Sequence, residues 1–264
     1  GHCREGACAM KRYFLAEKLK YRHTFLPFLV VAMPLMTCLL AAFLTGNYFA
    51  VDSFNWWYMM MFPGMTAIIC AVVGGKDKKQ QNRTIFALPV DIGKVWDAKI
   101  LTAAGMTAIA NGILLAGAVA GNFCLTEMFS YTMVAMPAVR MQIVAAGVIW
   151  LTSLWQIPFC LWMSQKFGGF LMFLLHLAVY MVLAGSLSPD AVFFLLPQGI
   201  TARLMCVLLE ILPNGLIAKE GQMTWKAELM EPRAVLLGMV ASVLWFILLR
   251  AGSRRWFKRQ VEKA

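Results

Sequence analysis

Charge is what this sequence has least of. Only 14% of its 264 residues are Asp, Glu, Lys or Arg, against about 25% in an ordinary soluble domain. Hydrophobic residues make up 61%, where about 45–50% is usual. One soluble core cannot absorb that excess. The chain must hold stretches of about 20 apolar residues, each able at 1.5 Å per residue to cross a hydrocarbon layer roughly 30 Å thick. Acidic residues are the scarcer sign, 13 against 24 basic, for a net charge of +11. Nucleic acid is not the implied partner, because the basic residues flank apolar runs instead of forming a separate basic domain. The seven cysteines, Cys3, Cys8, Cys38, Cys70, Cys124, Cys160 and Cys206, form no CxxC pair and have no His-rich neighbour. A zinc or redox motif therefore has no support. Cys124 and Cys206 fall in segments placed outside below, which leaves a disulfide between them open.

Motifs for chemistry and energy coupling are missing as well. No GxxxxGKS/T stretch is present, so these residues cannot hold ATP in a P-loop; Gly74-Gly75-Lys76 reads as a helix end. There is no HExxH, no GxSxG and no paired carboxylate inside an apolar run, so catalytic, cofactor and metal residues are not expected. Pumps and proton-coupled carriers keep ionisable groups at membrane depth. Here that set reduces to His176, with Asn111 and Gln156 as polar companions, and a lone buried histidine reads as a helix–helix hydrogen-bond partner. Energy for any transport must come from elsewhere.

What is present is a succession of apolar runs. Residues 1–9 precede a methionine, carry no periodic pattern, and read as a disordered leader or remnant set apart from the membrane domain of 10–264. Residues 10–23 mix Tyr13, Phe14 and Leu19 with five basic residues: either an interfacial helix in the headgroup layer or a solvated basic start to the first span. Spans are expected at 24–44, at 56–75 after a short loop 45–55, within 100–126, within 141–165, at 169–187, and at 234–249. A charged loop covers 76–99. Residues 190–233 are neither a clean span nor an ordinary loop. Their apolar pieces are broken by Pro197 and Glu210, which predicts a re-entrant pair of short helices dipping into the outer leaflet.

Lys and Arg set the orientation. Eighteen fall beside 10–23, 76–99, the turn at Lys166 and the tail 250–264, and five fall on the other side. The positive-inside rule then places both termini in the cytoplasm, with six spans in an all-α membrane protein. A seventh span at 191–212 would put the basic tail outside and bury Arg203 and Glu210.

The inner loop carries the most information. Arg83, Thr84, Ile85, Phe86, Ala87 and Leu88 can form one or two helical turns that end before Pro89. Ile85, Phe86 and Leu88 would stand between charged flanks. That is either a docking helix for a partner's groove, with Lys166 on the same face, or an amphipathic turn resting on lipid.

Together, the basic helix before the first span, the inner R-T-I-F-A-L-P-V-D-I-G-K-V-W-D-A-K segment, six spans and an outer element at Pro213, Asn214 and Gly215 resemble an ABC-2 type permease. More narrowly, the chain is similar to the lantibiotic-immunity permeases of the MutE/EpiE type. The resemblance implies that Arg83 to Pro89 corresponds to the coupling helix that docks on a separate ATPase. It also implies that 190–215, with Pro197 and Glu210, caps the exit path with re-entrant helices. Two ATPase copies carrying ATP and Mg would serve two permeases, identical or homologous, in a bacterial cytoplasmic membrane. The implied cargo is a hydrophobic or amphipathic antimicrobial peptide. An ABC-2 exporter of another cargo (a drug, lipid or ion) and a non-transporting scaffold or sensor subunit are the rival readings.

Overall fold

In the computed structural model, residues 2–78 and 90–261 are described, with side chains for 10–78 and 90–260. Among these residues all regular structure is helical, apart from one isolated bridge between Ile211 and Ile217. Five stretches are long and apolar enough to cross a membrane: Leu26–Lys78, Ile92–Met128, Val139–Phe167, Gly169–Leu187 and Arg233–Gln260.

Helix α1 (His2–Tyr21) begins ahead of Met10. The chain turns at Thr24, whose hydroxyl donates to the Tyr21 carbonyl at 2.7 Å. Pro27 then sits in the first turn of α2 (Leu26–Thr45), where its missing N–H costs no helical bond. Residues 45–55, expected as a loop, instead form a short 3₁₀ turn (Gly46–Tyr48) and helix α3 (Phe49–Trp56). Gly46 has φ 25°, and a Cβ there would stand 2.6 Å from the Tyr131 ring, so the sharp turn and the close ring both require glycine.

Trp57–Met61 is a π turn leading into α4 (Phe62–Lys78). Pro63 supplies the cause: it has no N–H for the Met59 carbonyl and crowds it, and a widened turn relieves both. The ammonium of Lys76 reaches the Lys20 carbonyl. The 53-residue run Leu26–Lys78 therefore folds back on itself, and its end returns to its beginning.

Helix α5 (Ile92–Phe123) is capped by Asp91, whose carboxylate accepts from the N–H of Gly93 at 2.8 Å and of Lys94 at 3.3 Å. The charged loop is accordingly shorter than 76–99: Lys76 and Lys78 belong to α4, and Lys94 and Lys99 to α5. The expected span within 141–165 is two helices, α6 (Val139–Ser153) and α7 (Gln156–Phe167). Pro158 cannot donate to the Leu154 carbonyl, and the helix breaks at Leu154 and Trp155. After Gly168, α8 covers Gly169–Leu187, the bounds expected for that span.

Turns run from Ser188 to Pro197, and then α9 (Gln198–Leu209) forms, so the expected pair of short helices is one helix. At 12 residues, or roughly 18 Å, it cannot cross a bilayer. Finally α10 (Arg233–Val261) carries the last apolar stretch straight on into the basic tail.

The packing is inverted relative to a soluble protein. Phe28 (75%), Phe43 (87%) and Phe170 (78%) face outward, while Thr66, Asn111, Gln142, Thr152 and Gln156 are buried. Small and polar side chains join large buried aromatics such as Trp57, Trp96 and Phe62 between the helices, while other large apolar side chains turn to the surroundings, as a bilayer solvent allows.

Candidate functional site

Ionic contacts concentrate at one end of the bundle. Lys99 is wholly buried, eight positions into the described part of α5. Its ammonium is ion-paired with Asp77 of α4 and lies 3.4 Å from the Glu17 carboxylate of α1 and 3.5 Å from the Val73 carbonyl. Lys20 bridges the same acids, at 2.7 Å from Glu17 and 3.3 Å from Asp77. The Tyr21 hydroxyl donates to Glu17 at 3.0 Å. Two carboxylates thus balance two ammonium groups in a site that would not tolerate an unpaired charge. Burial depresses the Lys20 pKa, but Glu17 and Asp77 outweigh it and hold it above the ordinary value. Burial, reinforced by Glu17 and Asp77, raises that of the Tyr21 phenol.

A second cluster joins α10 to the start of α5. Asp97 accepts from Arg250 at 2.9 Å and from Arg254 at 3.2 Å. Arg254 also donates to the Gly93 carbonyl at 3.2 Å, and the Trp96 indole N–H donates to the Ser253 hydroxyl at 3.0 Å. Trp96 stacks on Phe257 with ring centroids 4.5 Å apart. Lys258 lies 3.9 Å from Asp91, whose own N–H donates to the Tyr13 hydroxyl. Burial raises the Asp91 pKa, but the Lys94 and Gly93 amides, with Lys258 and Arg254, bring it below the usual range.

These contacts fix both flanks of the segment expected to dock a partner. Lys78 donates to the Ser164 carbonyl at 3.1 Å, and the Gln165 side chain donates to the Gly74 carbonyl at 2.6 Å. Lys166 is next along α7, exposed, with its ammonium 4.4 Å from the Trp162 ring centre. Arg83, Thr84, Ile85, Phe86, Ala87, Leu88 and Pro89 themselves lie outside the described residues. Lys166 therefore belongs to the end of the bundle from which that segment leaves and to which it returns.

The opposite end holds the second group of expected residues. Pro197 is buried and precedes α9, and Glu210 closes it in a left-handed conformation (φ 56°), exposed. Pro213 is buried, Asn214 exposed, and the Asn214 side chain accepts from the Leu216 N–H at 3.2 Å. Gly215 (φ 85°) lies against α3, where a Cβ would stand 2.6 Å from the Asn55 amide. The structure thus brings Glu210 to Gly215 together as a turn on the bundle. Arg203, whose burial counted against a seventh span, is buried after all. Its terminal nitrogens donate to the carbonyls of Ser188 at 3.4 Å and Glu228 at 2.6 Å, and the guanidinium lies over the Phe193 ring.

At mid-bundle, His176 pairs with Gln156 at 3.2 Å. Asn111 accepts from the Trp57 indole at 3.0 Å and donates to the Ala146 carbonyl at 2.8 Å. Cys124 and Cys206 are free thiols; the latter is buried and donates to the Ala202 carbonyl, so the disulfide left open does not form.

Sequence reasoning missed Glu17, Asp77 and Asp97. The available signal was their rarity: each is an acid set among basic residues beside an apolar run. No family profile, curated protein or solved structure matches this chain.

Proposed function

We propose that this chain is the membrane-spanning permease subunit of an ATP-driven exporter of the ABC-2 type. The observation that carries the reading is the braced basic end. Helix α1, both flanks of residues 79–89, the end of α7 and the basic half of α10 are tied there by ion pairs and hydrogen bonds. A short segment held at both flanks by such a frame can pass a push from a partner into several helices at once.

In this reading the folded-back run Leu26–Lys78 crosses twice, giving six crossings with both termini and the braced end in the cytoplasm of a bacterial plasma membrane. Arg83 to Pro89 docks on a separate ATPase, present in two copies, which holds the ATP and Mg. A second permease, identical or homologous, completes the path. Glu210 to Gly215, with Pro197, forms the outer gate. At mid-bundle Asn111 is engaged by Trp57 and His176 by Gln156, in keeping with energy supplied from outside the bundle. The apolar faces suit an amphipathic peptide of the lantibiotic class drawn from the bilayer.

Affinity capture of the tagged chain tests this directly. The intact chain should retain a nucleotide-hydrolysing subunit, and Phe86→Asp with Leu88→Asp should release it while leaving the membrane fraction unchanged. Equal capture by both would refute the docking role, and uphill solute movement by the purified chain alone would refute the division of labour.

A further inference from the structure

Helix α1 has two kinds of cation. Lys20 is held between Glu17 and Asp77 on the inner side. Lys18 and Arg22, one turn apart, are exposed, and among the described residues their side chains have no hydrogen-bond or ion-pair partner. They stand at the rim of a groove of about 520 Å³ lined also by Leu15, Leu19, Pro27 and Met106. No acid lines it. Met106 lies seven residues, roughly 10 Å, further along α5 than Lys99, so the groove runs along the bundle surface from the charged end toward its apolar middle.

We propose that this groove seats an anionic phospholipid, with its phosphate on Lys18 and Arg22 and an acyl chain along Leu19, Pro27 and Met106. Two free cations with no competing acid select negative charge, and the apolar wall behind them excludes a small hydrated anion. A bound lipid would stiffen the junction of α1 with α2 and α5, next to the ion cluster that joins α1 to α4. The site needs the chain to lie in a bilayer, but not that it export anything, so its failure would leave the permease reading standing, and the reverse.

The test is native mass spectrometry of the purified full chain titrated with phosphatidylglycerol, with phosphatidylcholine and glycerol 1-phosphate as the comparison arms. Phosphatidylglycerol should bind selectively, and Lys18→Gln with Arg22→Gln should weaken it about thirtyfold, roughly fivefold per cation. Arg255→Gln with Arg259→Gln, exposed on α10 and removing the same charge, should leave it within a factor of two or so. Circular dichroism melting in lipid-free detergent checks that both variants remain folded. Equal affinity for the two lipids, equal losses in both variants, or displacement by glycerol 1-phosphate alone would overturn the proposal.

Discussion

Replacing Lys99 with methionine gives the sharpest test of the charged end. The side chain keeps its length, so packing changes little, but the wholly buried ammonium between Asp77 and Glu17 is gone. Lys20 stays in contact with both acids and is left to balance two carboxylates alone. Removing one partner of a buried pair costs about 3–5 kcal/mol, because the remaining charge is stranded away from water. Lys20 is part-exposed and compensates in part, which favours the lower figure, about 3 kcal/mol. At about 2–4 °C per kcal/mol for a chain of this size, the melting temperature in detergent should fall by roughly 6–12 °C. Removing both members should cost less than removing one: Lys99→Met with Asp77→Leu takes out the pair and leaves Lys20 on Glu17, and an apolar replacement of a whole buried pair is often neutral. Fluorescence-detected melting of the two singles and the double would read the cycle. A double variant as unstable as the sum of its singles would mean that the four groups do not act as one balanced unit.

Three further outcomes follow from the same end and from the outer turn. Asp97→Asn should cost about 1 kcal/mol or less, because Arg250 and Arg254 are partly exposed, whereas Trp96→Ala should cost about 3–5 kcal/mol by emptying a buried site against Phe257; thermal melting that ranked them the other way would refute the view that packing holds α10 to α5. The Lys20 and Tyr21 pKa values are both raised by folding, so both contributions are complete below about pH 10 and lost as pH rises beyond it. Melting temperature should therefore drop on the alkaline side, with a smaller drop in Tyr21→Phe. Gly215→Ala should destabilise by about 1–3 kcal/mol through its left-handed backbone and the Asn55 contact, while Gly221→Ala, left-handed but in open space, should cost less by the same melting assay.

The long uncharged runs were legible because a bilayer leaves a coarse mark, and Gly169–Leu187 shows it best: an apolar run between a glycine turn and Ser188-Pro189. Finer features depended on pairing that a single sequence hides. Lys99 read as loop because a lysine is costly in an apolar helix unless acids meet it, and those acids sit 82 and 22 positions away. Residues 45–55 read as a short loop between two spans, yet α3 forms there, in contact with Gly215 through Asn55 and with the far part of α5. Pro63 and Pro158 were visible from the start, but whether each would kink, widen or break its helix was set by neighbours.

The expected site divides along the same line. Lys166 lies at one end of the bundle, and Pro197 and the turn from Glu210 to Gly215 lie at the other. The acids that brace the basic end were passed over because acidic residues carry almost no weight in the positive-inside rule. Their weight is structural. Glu17 and Asp77 join α1, α4 and α5 through Lys20 and Lys99, and Asp97 adds Arg250 and Arg254 to the packing of Trp96 on Phe257 that holds α10 to α5. With them, the cations at that end couple its helices. On the proposed reading, a push arriving at residues 79–89 enters α4 beside Asp77 and α5 beside Asp97, and so reaches α1 through Lys99 and α10 through Arg250. No ion pair at the opposite end, among the described residues, offers an equivalent path: Arg233 with Glu231 is exposed and 3.9 Å apart, too loose to transmit force. On that reading the basic end is where work enters, and the opposite end, with no comparable ion-pair network among the described residues, is where the bundle is freer to part.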